Sequence, residues 1–171
     1  MSAGALVLAV CVIKGGTGKS TTAAALAQAA AADGKRVLAV DLDAQGNLTD
    51  RLDGRKDAGG VVDLLHGTPA AAVIQSTGQG VDLIAGTTDT AAEQTGEGSG
   101  HRLRKALAPV LAGYDLAIID TPPAIGESTL NAILAADMIL APLEADGGSL
   151  SGLYQITEDR KSTRLNSSHS S

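Results

Sequence analysis

The chain has 171 residues, 44% of them apolar and 19% charged, and a formal net charge of −6; that is enough for one domain with a core, and too acidic for a broadly basic nucleic-acid surface. Its apolar residues are mostly Ala, Val, Leu and Ile, with no Phe or Trp and only Tyr114 and Tyr154 as aromatics, which suits helices packed closely on a sheet. The single cysteine, Cys11, rules out an internal disulfide, and no spaced Cys or His set exists for zinc or a cluster, so a reducing cytoplasm is the expected setting.

Ala5–Ile13 (ALVLAVCVI) is a continuous apolar run, read as a strand buried on both faces. The apolar stretch Ala3–Ile13 is too short to span a bilayer, and no cleavage-type signal follows it. A Gly-rich stretch, Lys14–Ser20, leads into the helix-forming run Thr21–Ala32, which Gly34 is placed to stop. Arg36–Val40 is a second strand, closed by Asp41-Leu42-Asp43. Strand, glycine turn, helix and strand within about 40 residues form the βαβ unit of a parallel sheet.

Beyond it, Leu48–Leu52 and Val61–Leu65 read as short helical pieces and Val81–Ala85 as a strand. Thr95–Gly100 reads as a loop; Leu103, Ala106, Leu107, Val110 and Leu111 then fall on one helical face. Leu116–Ile119 is a buried strand closed by Asp120-Thr121-Pro122-Pro123, Leu130–Ala136 a helix, and Met138–Ala141 a further strand. This alternation predicts an α/β fold with a doubly wound, mostly parallel sheet. Asp159–His169 (DRKSTRLNSSH) breaks the pattern, with no apolar periodicity. The string resembles an in-frame translation of a sequencing-library adapter. The expected division is therefore an incomplete, C-terminally truncated domain over residues 1–158 and a non-native tail over 159–171.

The strongest signal is Lys14-Gly15-Gly16-Thr17-Gly18-Lys19-Ser20-Thr21, between a strand and a helix. Such a loop lets successive backbone N–H groups surround phosphate oxygens, and side chains at Gly15, Gly16 or Gly18 would obstruct that approach or the backbone angles it needs. Lys19 supplies charge to the β- and γ-phosphates, Ser20 is placed to ligate Mg²⁺, and Thr21 could donate to the α-phosphate. The alternative is a Gly-rich turn with two surface lysines. A dinucleotide fingerprint fits worse, because the glycine spacing is wrong and Lys19 has no role in it.

Asp41 and Asp43 stand at the end of the second strand, where an open parallel sheet places its ligand. Asp120 ends the LAII strand, where a carboxylate would hold Mg²⁺ through water. Each also has a plain reading as a turn or strand terminus. His66, His101 and His169 suggest no shared site, and Cys11 reads as a small core residue.

The strict P-loop pattern wants glycine where Ile13 stands, and Lys14 opens the loop instead. This resembles the deviant Walker A motif of the ParA/MinD P-loop ATPases, and DLDAQGNLT resembles the segment of their ParA/Soj partition branch. Asp120 then matches the Walker B aspartate, in a segment similar to the family's DxPP. Ala44 departs from the family's usual proline.

The resemblance covers approximately residues 5–157 and implies an ATPase with ATP and Mg²⁺ as cofactors. It implies that Lys14 reaches the partner's nucleotide in an ATP-bound homodimer, that Asp43 orients or activates water, and that Asp41 supports the magnesium shell or a switch. It further implies a ParB-like stimulating partner, and nonspecific DNA binding, with nucleoid association, through a C-terminal part that this chain lacks. A MinD-like membrane-associated ATPase and an inactive truncated product remain alternatives. A nitrogenase-type reductase is disfavoured by the missing cluster cysteines.

Overall fold

The computed structural model describes residues 4–11, 18–88, 101–124 and 126–142. Lys14–Thr17, the loop 95–100, Tyr154, His169 and the tail 159–171 lie outside the described residues.

Along the chain come β1 (Leu6–Val10), α1 (Lys19–Ala32), β2 (Val37–Asp41), α2 (Asn47–Arg51), α3 (Val61–Leu65) and α4 (Ala70–Val73). β3 (Ile74–Ser76), β4 (Val81–Ile84), α5 (Arg102–Leu111), β5 (Leu116–Asp120), α6 (Glu127–Ala135) and β6 (Met138–Leu140) follow. The six strands form one sheet in the order β3-β4-β2-β5-β1-β6. All pairings are parallel except that of β3 with β4. The α/β sheet expected from the sequence is present.

Its core divides by strand alternation. In β2, Val37 and Ala39 face α1 and α2, while Leu38 and Val40 face the layer of α3, α5 and α6. The alanine run does what its size permits: Ala23, Ala24 and Ala27 of α1 are buried, so the helix backbone lies close to the sheet. Leu103 and Leu107 fill the opposite layer from α5, both fully buried. α1 ends as Gly34 suggests, with φ of 78° at that glycine. Its N–H donates to Ala31 and that of Lys35 to Ala30, the paired C-terminal bonds of a left-handed cap.

Three features go beyond the sequence reading. First, β5 lies between β1 and β2, pairing Leu6 with Leu116 and Val37 with Leu116 at its two edges. The first two strands are therefore not neighbours. Second, α4 and the antiparallel edge strand β3 were not expected; elements of 4 and 3 residues are too short to show a period. Third, α1 begins at Lys19 and α6 at Glu127, earlier than Thr21 and Leu130, because polar first-turn residues carry no apolar signal.

Candidate functional site

The C-terminal ends of β1, β5 and β2 meet at one point, with Asp120 in register with Val10 on one side and Asp41 on the other. α1 starts beside them. Its N-cap is Gly18, at φ 75°. Among the described residues a Cβ there would meet nothing within 4 Å, and the left-handed backbone is what favours a glycine. Thr22 donates from both its N–H and its hydroxyl to the Gly18 carbonyl.

Lys19, in the first turn, is only 7% exposed. Its Nζ lies 2.7 Å from Oδ1 of the fully buried Asp120. An ammonium and a carboxylate this deep are each costly alone and hold one another in place. Burial pushes the Asp120 carboxyl up from its ordinary value, Lys19 and the Ser20 hydroxyl hold it down, and Asp43 pushes it up. Its second oxygen, Oδ2, is buried with no hydrogen-bond partner among the described residues, as is Oδ1 of Asn131. Ser20 is half-buried and Thr21 exposed.

Asp41 is fully buried and saturated. Its Oδ1 accepts the Asp43 N–H at 3.0 Å; its Oδ2 accepts the Thr49 N–H at 2.9 Å and the Thr49 hydroxyl at 2.8 Å. Thr49 Oγ1 in turn accepts the Gly86 N–H at 3.0 Å. Gly86 has no room for a side chain: a Cβ there would sit 2.6 Å from the Asp43 carbonyl oxygen and 2.9 Å from Asp41 Cγ. Asp43, 5% exposed, accepts the Gln45 N–H at 3.0 Å, and Gly46 follows at φ 65°. Lys56 crosses that turn, its Nζ donating to the Gln45 carbonyl at 3.1 Å.

Burial, then the neighbouring Asp120 charge, raise the Asp41 carboxyl to about 6, against the pull of its three hydrogen bonds. The folded chain thus holds this proton more tightly than the unfolded chain does. The resulting stability is fully present below about pH 4 and lost as pH rises through about 6, a loss of up to roughly 3 kcal/mol. Between pH 4 and 7 the unfolding free energy should fall more steeply in the wild type than in Asp41→Asn, where the raised Asp120 carboxyl still contributes. Equal slopes would refute it.

The structure thus brings Lys19, Ser20, Asp41, Asp43 and Asp120 to one corner of the sheet, beside Gly18. Among the described residues no three His, Cys, Asp or Glu side chains converge as a ready metal site, in keeping with the closure of Asp41 on Thr49. Among the described residues, Asp120 Oδ2 and the Ser20 hydroxyl are oxygens that the corner offers a hard cation. Cys11 is fully buried, its thiol pushed up to about 11 chiefly by burial; it is a core residue. His66 and His101 are exposed. Thr49 and Gly86 were given no role by the sequence reading. No local motif marks Gly86, and Thr49, which closes the DLDAQGNLT segment, becomes its partner only because the segment after β4 approaches the end of β2.

Among the described residues no helix is long and apolar enough to cross a membrane. The family model described as AAA domain (AAA_31) matches residues 5–169, a span that includes 159–169. Chromosome-partitioning ATPase Soj of Thermus thermophilus is 42% identical over 82% of this chain and 55% of its own length. Chromosome partitioning protein ParA of Myxococcus xanthus is 40% identical over 84% of this chain and 54% of its own. The chain therefore spans little more than half the length of these relatives. Among solved structures, an ATP complex of McdA from Cyanothece superposes with a TM-score of 0.88 at 27% identity, covering 95% of this chain and 65% of that one. Cobyrinic acid a,c-diamide synthase from Mycobacterium smegmatis, with an ATP analogue and magnesium, gives 0.85 at 34% identity, covering 92% and 69%. The match over residues 5–169 shows that the chain, whose helix α1 delivers Lys19 to Asp120, belongs to the AAA_31 family, and its sequence is similar to chromosome-partitioning proteins of the ParA/Soj type.

Proposed function

We propose that the chain binds Mg-ATP at the start of α1 and hydrolyses it, as the nucleotide-binding part of a partition-type ATPase. The observation that carries this reading is the buried Lys19–Asp120 pair at the meeting point of three strand ends. It sets a cation where phosphates would lie and a carboxylate where a metal would.

In this reading Lys14, Gly15, Gly16, Thr17 and Gly18 cradle the phosphates with Lys19, Ser20 and Thr21. The Ser20 hydroxyl and Asp120 hold Mg²⁺. The donor chemistry fits: magnesium takes oxygen ligands and keeps several waters, and Asp120 Oδ2 is a buried carboxylate oxygen without a partner among the described residues. When bound, the ion neutralises charge on the phosphate oxygens. Lys19 and Lys14 stabilise charge that develops on the γ-phosphate, and Asp43 orients a water for in-line attack. The whole protein would act as an ATP-dependent homodimer on DNA, released by a ParB-like partner. Relatives described as chromosome-partitioning proteins support this reading.

Saturating Mg-ATP, at about 100 times its Kd, should raise the unfolding free energy by about 2.7 kcal/mol. EDTA should remove most of that gain, because Asp120 Oδ2 then has no metal to hold. An unchanged melting temperature, with no ADP formed over hours, would overturn the proposal.

A further inference from the structure

We propose that Thr49 is a positioning residue for Asp43, acting through a latch that joins Asp41, Thr49 and Gly86. The inference deepens the ATPase reading and rests on it for its kinetic consequence.

Among the described residues, the donors to Asp41 come from one short segment: the Asp43 N–H, and the N–H and hydroxyl of Thr49. The Asp41 carboxylate is thus spent on the backbone that carries Asp43, with both oxygens engaged. Thr49 is the pivot because its hydroxyl works twice, donating to Asp41 Oδ2 and accepting from the Gly86 N–H. It ties the first turn of α2 to the end of β2 and to the segment leaving β4. That segment presses on the same turn, with Gly86 so close that a Cβ would meet the Asp43 carbonyl oxygen at 2.6 Å.

The turn from Asp43 to Asn47 is therefore held from the interior by Thr49 and from outside by Lys56 on the Gln45 carbonyl. The two tethers differ in kind. Thr49 is fully buried, whereas the Lys56 side chain is 39% exposed, so its bond competes with water and fixes the turn less firmly. Without the Thr49 hydroxyl, the Gly86 N–H is a buried donor with no acceptor and Asp41 loses one of three bonds. The cost falls on the geometry of Asp43 rather than on Lys19, which approaches from α1.

The test compares wild type, Thr49→Val and Thr49→Ser by amide hydrogen exchange and by steady-state ATPase kinetics. Thr49→Val keeps the shape and removes the hydroxyl; Thr49→Ser keeps the hydroxyl. Thr49→Val should raise exchange at the Asp43, Thr49 and Gly86 amides about tenfold or more, with α1 amides unchanged. It should lower kcat about tenfold or more while leaving KM for ATP within about twofold. Thr49→Ser should restore both. Unchanged exchange at Asp43 and Gly86 in Thr49→Val overturns the latch whether or not the chain hydrolyses ATP. Raised exchange with unchanged kcat overturns the positioning role alone. If Thr49→Val fails to fold, Thr49→Ser decides: a kcat loss that tracks its exchange at Asp43 supports the role, and a global loss of protection with uniform loss of activity overturns it. A wild type that neither binds nor hydrolyses ATP refutes the ATPase reading, and the exchange arm still judges the latch.

Discussion

Lys19→Ala is expected to weaken Mg-ATP binding by at least about tenfold. A charge-assisted hydrogen bond to a phosphate contributes about 1.5–3 kcal/mol, so its loss weakens binding by roughly 10- to 100-fold, and more where the charge is desolvated. Lys19 is such a charge, 7% exposed and 2.7 Å from Asp120. The substitution has a second consequence. It leaves a fully buried carboxylate without its cation, and breaking a buried pair from one side costs about 3–5 kcal/mol. Since small domains hold only about 5–15 kcal/mol of stability, the variant should melt well below wild type. The two effects separate in the Lys19→Ala, Asp120→Asn double variant, which removes the orphaned charge: stability should recover and binding should not. Isothermal titration beside thermal melts reads both. Wild-type affinity in a folded Lys19→Ala protein would end the assignment of Lys19 to the phosphates.

Asp43→Ala is expected to keep Mg-ATP binding and lose turnover by at least about 100-fold, the scale on which a positioned proton acceptor or water-orienting group acts. Asp43 is also a turn former, accepting the Gln45 N–H at 3.0 Å, and alanine removes both roles at once. Asp43→Asn tells them apart, because an asparagine oxygen still accepts that N–H but carries no charge. If Asp43 serves chemistry, Asp43→Asn is nearly as slow as Asp43→Ala at unchanged affinity. If it serves only the turn, Asp43→Asn turns over like wild type while Asp43→Ala loses stability. Single-turnover hydrolysis with a binding isotherm on each variant distinguishes the cases.

How much of the site can be read from the chain differs from residue to residue, for physical reasons. Lys19 and Ser20 are legible because a glycine loop between an apolar run and a helix-forming run has a strong local pattern. Asp120 is legible as an acid closing four apolar residues. The function of Asp41 is not. Its position at a strand end is plain in the sequence, yet the groups that engage it are Thr49, eight residues on, and through Thr49 the distant Gly86. Nor does sequence spacing reveal that Lys19 and Asp120, 101 residues apart, form an ion pair. α4 and β3 escaped notice because four helical and three strand residues contain no full period to detect.

Taken alone, the sequence determined the class of fold and the strand-and-helix alternation, which follow from local apolar periodicity, and it marked the glycine-rich run that leads into α1. Tertiary structure alone decided that β5 enters between β1 and β2. This brings Asp120 into register with Asp41 and within reach of Lys19 from α1. Strand order depends on which apolar faces pack together across long separations. The partners of a buried charge depend on strand order, so the electrostatics of the corner could be written only after the sheet was assembled.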